Sequence, residues 1–258
     1  MKKIKTKKRS KIIILTAAIL FTAVSVLSVN AEGWYCMRAG HDVPSLPAEF
    51  IYLEEYGGRY IDRNADEQNK VIYLTFDAGY ENGNVEKILD TLCECNVKGA
   101  FFVLENLILR EPELIKRMQR EGHIVANHTA THRDMTTVST IDEFAAELSR
   151  LEEVYKSTVG CEMPKIYRPP EGKLTKKSLE FANELGYKTV MWSFAYADWD
   201  NNKQPDPEES VKRILDNTHN GMIILLHPTS ATNAAIIGRL IDEWSAMGYR
   251  FGTLDELA

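Results

Sequence analysis

The sequence predicts an α/β fold in which about seven parallel strands form a distorted (β/α) barrel. Short apolar runs of strand length alternate with amphipathic segments of helix length from about residue 70 onward, as in parallel sheets covered by helices. Runs such as Met222–Leu226 are apolar at every position, which is expected of a strand buried on both faces. Ionisable side chains follow the ends of these runs, where parallel barrels carry their chemistry.

The predicted strands are apolar runs bounded by polar or turn residues: Val71–Phe76, Gly99–Leu104, His123–Asn127, Lys165–Arg168, Thr189–Phe194, Met222–Leu226 and Tyr249–Thr253. Between them, apolar residues recur three and four positions apart, as on one face of a helix. Six helices are predicted: Asn84–Cys95, Glu113–Arg120, Ile141–Tyr155, Leu174–Leu185, Glu208–Leu215 and Ala231–Met247. Thr140, followed by Glu143, has the spacing of a capped helix start.

Charge is distributed unevenly along the 258 residues. Seven of the 31 Lys and Arg residues lie in the first eleven positions, and no acidic residue precedes Glu32. The remainder carries 24 basic against 37 acidic residues, a net charge of -13. This acidic body argues against nucleic acid as a partner.

The basic run is followed by an uncharged apolar stretch, Ile12–Val29, that ends in the small residues of Val29-Asn30-Ala31. This order is typical of a secretory signal, although the stretch approaches the ~20 residues that span a bilayer. Residues 1–31 are therefore predicted to be a signal peptide or an N-terminal membrane anchor, and both place the body outside the cytoplasm, secreted or facing the cell wall. Residues 32–69 are predicted to be an N-terminal extension, and residues 70–258 the catalytic domain.

His128 and His132 follow the third predicted strand and lie four residues apart. On a helical turn the two imidazoles would share a face and could bind one divalent cation, so we predict that they are metal ligands. His123, at the start of the same strand, is instead predicted to be a core histidine that bonds to backbone.

Asp77 follows the first strand, and Arg168 ends the fourth. A carboxylate beside an arginine stays ionised at neutral pH and can take a proton from water. We therefore predict Asp77 as a general base that Arg168 supports.

His227 ends the apolar sixth strand, and Asp198 follows the fifth. Asp198 would stabilise the imidazolium of His227, which could then donate a proton to a leaving amine. Trp199 and Leu226 are predicted to form apolar walls of the substrate site. A base, a cation and a proton donor together predict hydrolysis of an acyl bond. Serine hydrolase chemistry is not supported, since no Gly-x-Ser-x-Gly motif is present.

From about Val71 to Leu257 the chain resembles the polysaccharide deacetylases, the NodB-type carbohydrate esterases of family 4. The resemblance rests on five ordered motifs: Thr75-Phe76-Asp77, His128-Thr129-Ala130-Thr131-His132, Arg168-Pro169-Pro170-Glu171-Gly172, Asp198-Trp199 and Leu225-Leu226-His227. It implies a NodB-like barrel and the removal of acetyl from N-acetylated sugars.

The resemblance also implies roles. Asp77 matches the catalytic base with Arg168 as its partner, and His227 matches the catalytic acid with Asp198 as its partner. The metal ligands match His128 and His132, and the Glu171 backbone N–H matches an oxyanion donor.

Most family members have a second aspartate after the base, whereas this chain has Ala78, so any divalent cation would be held weakly. The context Leu74–Gly83 resembles the N-acetylmuramic acid deacetylases of spore formers, which take peptidoglycan glycan whose peptide has been removed and prepare it for muramic delta-lactam in spore cortex. Two alternatives remain: deacetylation of N-acetylglucosamine or another exported glycan, and non-catalytic glycan binding. Because muramic acid is anionic, Arg168 and a bound metal are expected to attract it.

Overall fold

The computed structural model describes residues 32–257. The predicted signal or anchor segment lies outside these residues. In the part of the chain that the structure describes, no helix combines the length and the apolar character that a membrane span requires.

The described residues contain nine strands: β1 (Glu32–Gly33), β2 (Val71–Ala78), β3 (Ala100–Val103), β4 (Ile124–Asn127), β5 (Ile166–Tyr167), β6 (Lys173–Leu174), β7 (Lys188–Thr189), β8 (Met222–Leu226) and β9 (Arg250–Phe251). Seven of them form one parallel sheet in the order β7-β5-β4-β3-β2-β8, with β9 also paired to β2. The predicted α/β fold of about seven parallel strands is confirmed. β1 and β6, which were not predicted, form a small antiparallel pair.

The strand predicted over Thr189–Phe194 is regular only at its start, in β7. Beyond β7 the backbone still connects the two sides of the sheet. The Val190 N–H donates to the Tyr167 carbonyl of β5, and Phe194 forms a parallel bridge with Ile224 of β8. This irregular segment is the distortion in the predicted barrel.

Seven α-helices lie among the described residues: α1 (Asn84–Glu94), α2 (Glu105–Arg110), α3 (Pro112–Arg120), α4 (Ile141–Val159), α5 (Lys176–Glu184), α6 (Pro207–Leu215) and α7 (Ala231–Ala246). The six predicted helices are present with shifted ends, and α2 was missed because it is only six residues long. Thr140 caps α4 as predicted, since its hydroxyl accepts from the Glu143 N–H.

The side chains of β2 point alternately into two apolar layers. Ile72, Leu74 and Phe76 pack against the outer helices, whereas Tyr73 belongs to a second cluster inside the barrel. Because side chains alternate along a strand, Asp77 falls on the inner side, at the carboxyl end of β2. The fold thus places Asp77 at the mouth of the barrel.

Candidate active site

Asp77 forms a buried ion pair with Arg168. Arg168 Nη1 donates to Asp77 Oδ1 at 2.8 Å. Burial by itself would raise the pKa of Asp77, but the Arg168 charge, with a further contribution from the His227 imidazolium, holds this pKa below its usual value of 3.8. Asp77 is therefore a carboxylate at neutral pH, with Oδ2 left to meet a water molecule.

The Arg168 guanidinium is fully buried, and each of its three nitrogen atoms donates a hydrogen bond. Nε donates to the Val190 carbonyl at 2.9 Å, and Nη2 donates to the Thr75 hydroxyl at 2.9 Å and the Met191 carbonyl at 3.2 Å. Its Cζ atom also lies 4.0 Å from the Phe102 ring centroid. The expectation that Arg168 attracts an anionic substrate is wrong, because its donors are directed at Asp77 and at neighbouring backbone and hydroxyl groups.

His128 is buried beside Asp77. Its Nδ1 donates to the Arg168 carbonyl at 2.8 Å, which leaves the Nε2 lone pair free, 3.7 Å from Asp77 Oδ2. Burial lowers the pKa of His128 to about 4, against the opposing pull of Asp77. His128 is thus a neutral imidazole whose lone pair can accept a proton or bind a cation.

The predicted helical turn from His128 to His132 is absent, and the two residues lie on a loop. Thr129 and His132 have positive φ angles of 71° and 60°, and the Thr129 hydroxyl accepts from the His132 N–H at 3.0 Å. This turn still brings the two imidazoles together, with ring centroids 5.1 Å apart. The two imidazoles are close to each other as predicted, but a loop and not a helical turn brings them together.

Two imidazoles are the donors that this loop offers to a cation. Ala78 ends β2 without a donor, and its side chain is buried. Among residues 32–257, no group of three or more His, Cys, Asp or Glu side chains is placed to hold a metal ion. Three or four protein ligands are usual for zinc, so the side chains present do not by themselves fit a tightly held ion.

His227 and Asp198 form the second pair. His227 Nδ1 lies 2.7 Å from Asp198 Oδ1, and the His227 backbone N–H donates to Asp198 Oδ2 at 2.8 Å. Burial opposes protonation of the imidazole, but the hydrogen bond and charge of Asp198 prevail, so the pKa of His227 lies above its ordinary 6.5. With Nδ1 directed at Asp198, Nε2 is the atom that can donate a proton.

Asn233 also holds Asp198, and the sequence reasoning missed it. Its amide nitrogen donates to Asp198 Oδ2 at 2.6 Å and to the His227 carbonyl at 3.0 Å. Its amide oxygen accepts from the Tyr196 hydroxyl. Asn233 lies three residues after Ser230, the N-cap of α7. A capped helix start just after His227-Pro228 is the sequence pattern that could have indicated it.

Glu171 lies on the turn Pro170–Gly172, three residues after Arg168. Its φ of 56° and that of Gly172, 65°, are both left-handed. Glu171 and Gly172 line the same cleft as Asp77 and His227, as the predicted oxyanion role requires.

The cleft has a volume of about 550 Å³ and brings together most of the predicted residues. Asp77, His128, His132 and His227 line it, and Trp199 stands at its rim, 61% exposed, with its ring 6.3 Å from that of His227. The prediction for Leu226 is wrong: alternation along β8 turns that side chain into the outer core, and Leu225 lines the cleft instead.

Comparison with known proteins shows which family this chain belongs to. A family model for polysaccharide deacetylase matches residues 64–190. The peptidoglycan-N-acetylmuramic acid deacetylase PdaA of Bacillus subtilis is 40% identical over 206 residues, which cover 80% of this chain and 76% of PdaA. The chain belongs to the polysaccharide deacetylase family.

A solved structure of the same relative and one further protein agree. The solved structure of Bacillus subtilis PdaA, a family 4 carbohydrate esterase, superposes with a TM-score of 0.83 at 36% identity and covers 88% of this chain and 97% of its own. A peptidoglycan-N-acetylglucosamine deacetylase of Bacillus cereus is 30% identical over 213 residues, covering 81% of this chain and 74% of that protein. The chain is thus a hydrolase of an amide bond, and the resemblance to the polysaccharide deacetylases is confirmed.

His123 lies at the other end of β4 from this deacetylase cleft. Its Nδ1 accepts from the Gly99 N–H at 3.1 Å, and its ring packs edge-on against Phe101. Burial, with a smaller effect of Lys98, lowers the pKa of His123 to about 4. The contacts agree with its predicted place as a core histidine.

Proposed function

We propose that this deacetylase removes acetyl from N-acetylmuramic acid residues of peptidoglycan. The observation that carries the proposal is the pairing of an ionised Asp77 with a protonated His227 in one cleft, in a chain 40% identical to a deacetylase of that sugar. A base and an acid with pKa values shifted in opposite directions are what hydrolysis of an amide requires.

Asp77 begins the reaction. Its Oδ2 takes a proton from a water molecule, and the water oxygen forms a bond to the acetyl carbonyl carbon. The carbonyl electron pair moves to oxygen, and the oxyanion is stabilised by the Glu171 backbone N–H. Arg168 keeps Asp77 ionised and fixes the carboxylate plane through Oδ1.

His227 completes the reaction. Its Nε2 donates a proton to the sugar nitrogen as the carbon–nitrogen bond breaks, and Asp198 stabilises the imidazolium until then. The oxyanion electron pair re-forms the carbonyl, and the products are acetic acid, which ionises to acetate in solution, and a free amine on the sugar. Asp77 loses its proton to solvent and His227 regains one, which restores the starting state.

The setting follows from the substrate. Peptidoglycan lies outside the cell membrane, and the basic and apolar segment before residue 32 suits export or anchoring there. We place the deacetylase on glycan strands whose peptide has been removed, as a step toward muramic delta-lactam in spore cortex. When the delta-lactam later closes, the freed amine attacks the lactyl carboxyl carbon and water leaves.

One experiment tests both reaction and substrate. The purified protein is given peptidoglycan glycan with and without its peptides, and the fragments are sequenced by mass spectrometry. Loss of acetyl from muramic residues of the stripped glycan, with loss of water where a lactam closes, is the expected result. Unchanged muramic residues in both glycans would overturn the proposal.

The second candidate is deacetylation of N-acetylglucosamine. The peptidoglycan-N-acetylglucosamine deacetylase of Bacillus cereus, which is 30% identical to this chain, favours it. Both sugars alternate in the glycan used above, so one digest separates the candidates. Free amines found only on glucosamine residues would establish the second candidate in place of the first.

A further inference from the structure

Trp34 connects two walls of the cleft from outside it. Its backbone N–H donates to the Gly172 carbonyl at 3.0 Å, and its indole Nε1 donates to the Trp192 carbonyl at 2.9 Å. Gly172 and Trp192 both line the cleft. One residue therefore fixes the turn that carries Glu171 and the irregular segment that follows β7.

Trp34 itself is firmly held. The residue is 6% exposed, and its ring packs on Phe50 and Tyr60, with ring centroids 5.1 Å and 5.7 Å away. Strand β1, just before it, pairs with β6, so that Gly33 lies opposite Lys173. Two consecutive residues of the extension, Gly33 and Trp34, therefore contact the turn and the strand that follows it.

The turn needs such support because its conformation is strained. Glu171 is a non-glycine residue with left-handed φ, a conformation that costs energy and persists only where the surroundings impose it. A Cβ atom at Gly172 would lie 2.7 Å from the Trp192 ring and 3.1 Å from Trp34 Cβ. The two tryptophans therefore enclose Gly172 closely and limit where the turn can go.

We propose that Trp34 is a positioning residue for deacetylation, which holds the Glu171 backbone N–H at the place where the oxyanion develops. The proposal rests on the function given above. Oxyanion donors act only when they are fixed to within a fraction of an ångström, and misplacement by about 1 Å can cost up to 10²-fold in rate. The family match begins at residue 64, so this support comes from the extension that precedes it.

The test compares Trp34→Phe with a matched control. Trp34→Phe keeps an aromatic ring on Phe50 and the backbone hydrogen bond to Gly172, and it removes the Nε1 donor that holds Trp192, whose ring encloses Gly172. The control, Phe50→Leu, reduces the same apolar cluster and leaves both hydrogen bonds of Trp34 in place. On the stripped glycan, Trp34→Phe is expected to lower kcat about tenfold with KM changed less than twofold, and the control is expected to keep kcat near the wild-type value.

Hydrogen exchange supplies a readout that does not need turnover. Amides of residues 171–174 are expected to exchange faster in Trp34→Phe and at the wild-type rate in Phe50→Leu. Equal kcat and equal exchange in Trp34→Phe and wild type would overturn the positioning role, as would parallel losses in both variants. An inactive wild-type protein would instead count against the proposed function, while the exchange comparison would still decide the role of Trp34.

Discussion

Arg168 Nη1 lies 2.8 Å from Asp77 Oδ1, which leaves Asp77 Oδ2 as the carboxylate oxygen that faces His128 across 3.7 Å. The two oxygens of one carboxylate therefore have different tasks. Oδ1 is bound to a charge that keeps the group ionised, and Oδ2 is left for water. This division is the basis of the general-base role proposed for Asp77.

Replacing Arg168 by methionine is expected to destabilise the fold. The change leaves Asp77 buried without its charge partner and removes the donors to Thr75 and two carbonyls, so we expect a loss of about 3–5 kcal/mol in the free energy of unfolding. Urea titration followed by circular dichroism measures it. Arg150→Met is the control, because the Arg150 side chain lies at the surface, where its ion pair with Glu105 is screened by solvent and its loss is expected to cost far less. Equal losses in the two variants would contradict the assignment.

Replacing Asp198 by asparagine is expected to move the alkaline limb of the pH–rate profile. Asp198 raises the pKa of His227, so activity that needs the imidazolium persists above pH 6.5 and falls as pH rises through the raised value. Without the carboxylate charge this limb moves to lower pH in kcat/KM. Asp200→Asn, a change in the same loop that leaves the His227 pair intact, is expected to keep it. An alkaline limb at the same pH in all three proteins would refute the acid role of His227.

Replacing Ala78 by aspartate is expected to strengthen metal binding. The change offers a carboxylate to a cation that otherwise has two imidazoles, His128 and His132. Calorimetric titration with divalent cations measures the affinities of the two proteins, and His132→Ala in the Ala78→Asp background is expected to remove the gain. Equal affinities with and without the aspartate would show that position 78 does not reach the cation.

The sequence predicted the parts of the site that follow from strand order and periodicity. Asp77 and His227 end apolar runs, and parallel strands bring such ends to one rim, so their meeting in one cleft was accessible. Leu226 was misplaced because a run apolar at every position does not reveal which face of the strand is inward. The backbone of the His128–His132 loop escaped prediction because it depends on left-handed residues that are not glycine.

The contacts that support the site were harder to predict. Trp34 and Asn233 reach the cleft residues through hydrogen bonds to groups 158 and 35 positions away in the sequence. No local pattern records a contact of that kind, since it depends on how distant segments pack. The machinery at the strand ends could therefore be read from motifs, and the residues that position it required the structure.

Acetate release from peptide-free peptidoglycan glycan tests the central claim most directly. It is measured for the wild-type protein, for Asp77→Asn, which preserves the shape of the base and removes its charge, and for Asp90→Asn, an exposed aspartate on α1. We expect the wild type and Asp90→Asn to release acetate at equal rates, with the new amines on muramic residues, and Asp77→Asn to be slower by at least ~10²-fold. Full activity in Asp77→Asn, or no release of acetate by the wild type, would contradict the account.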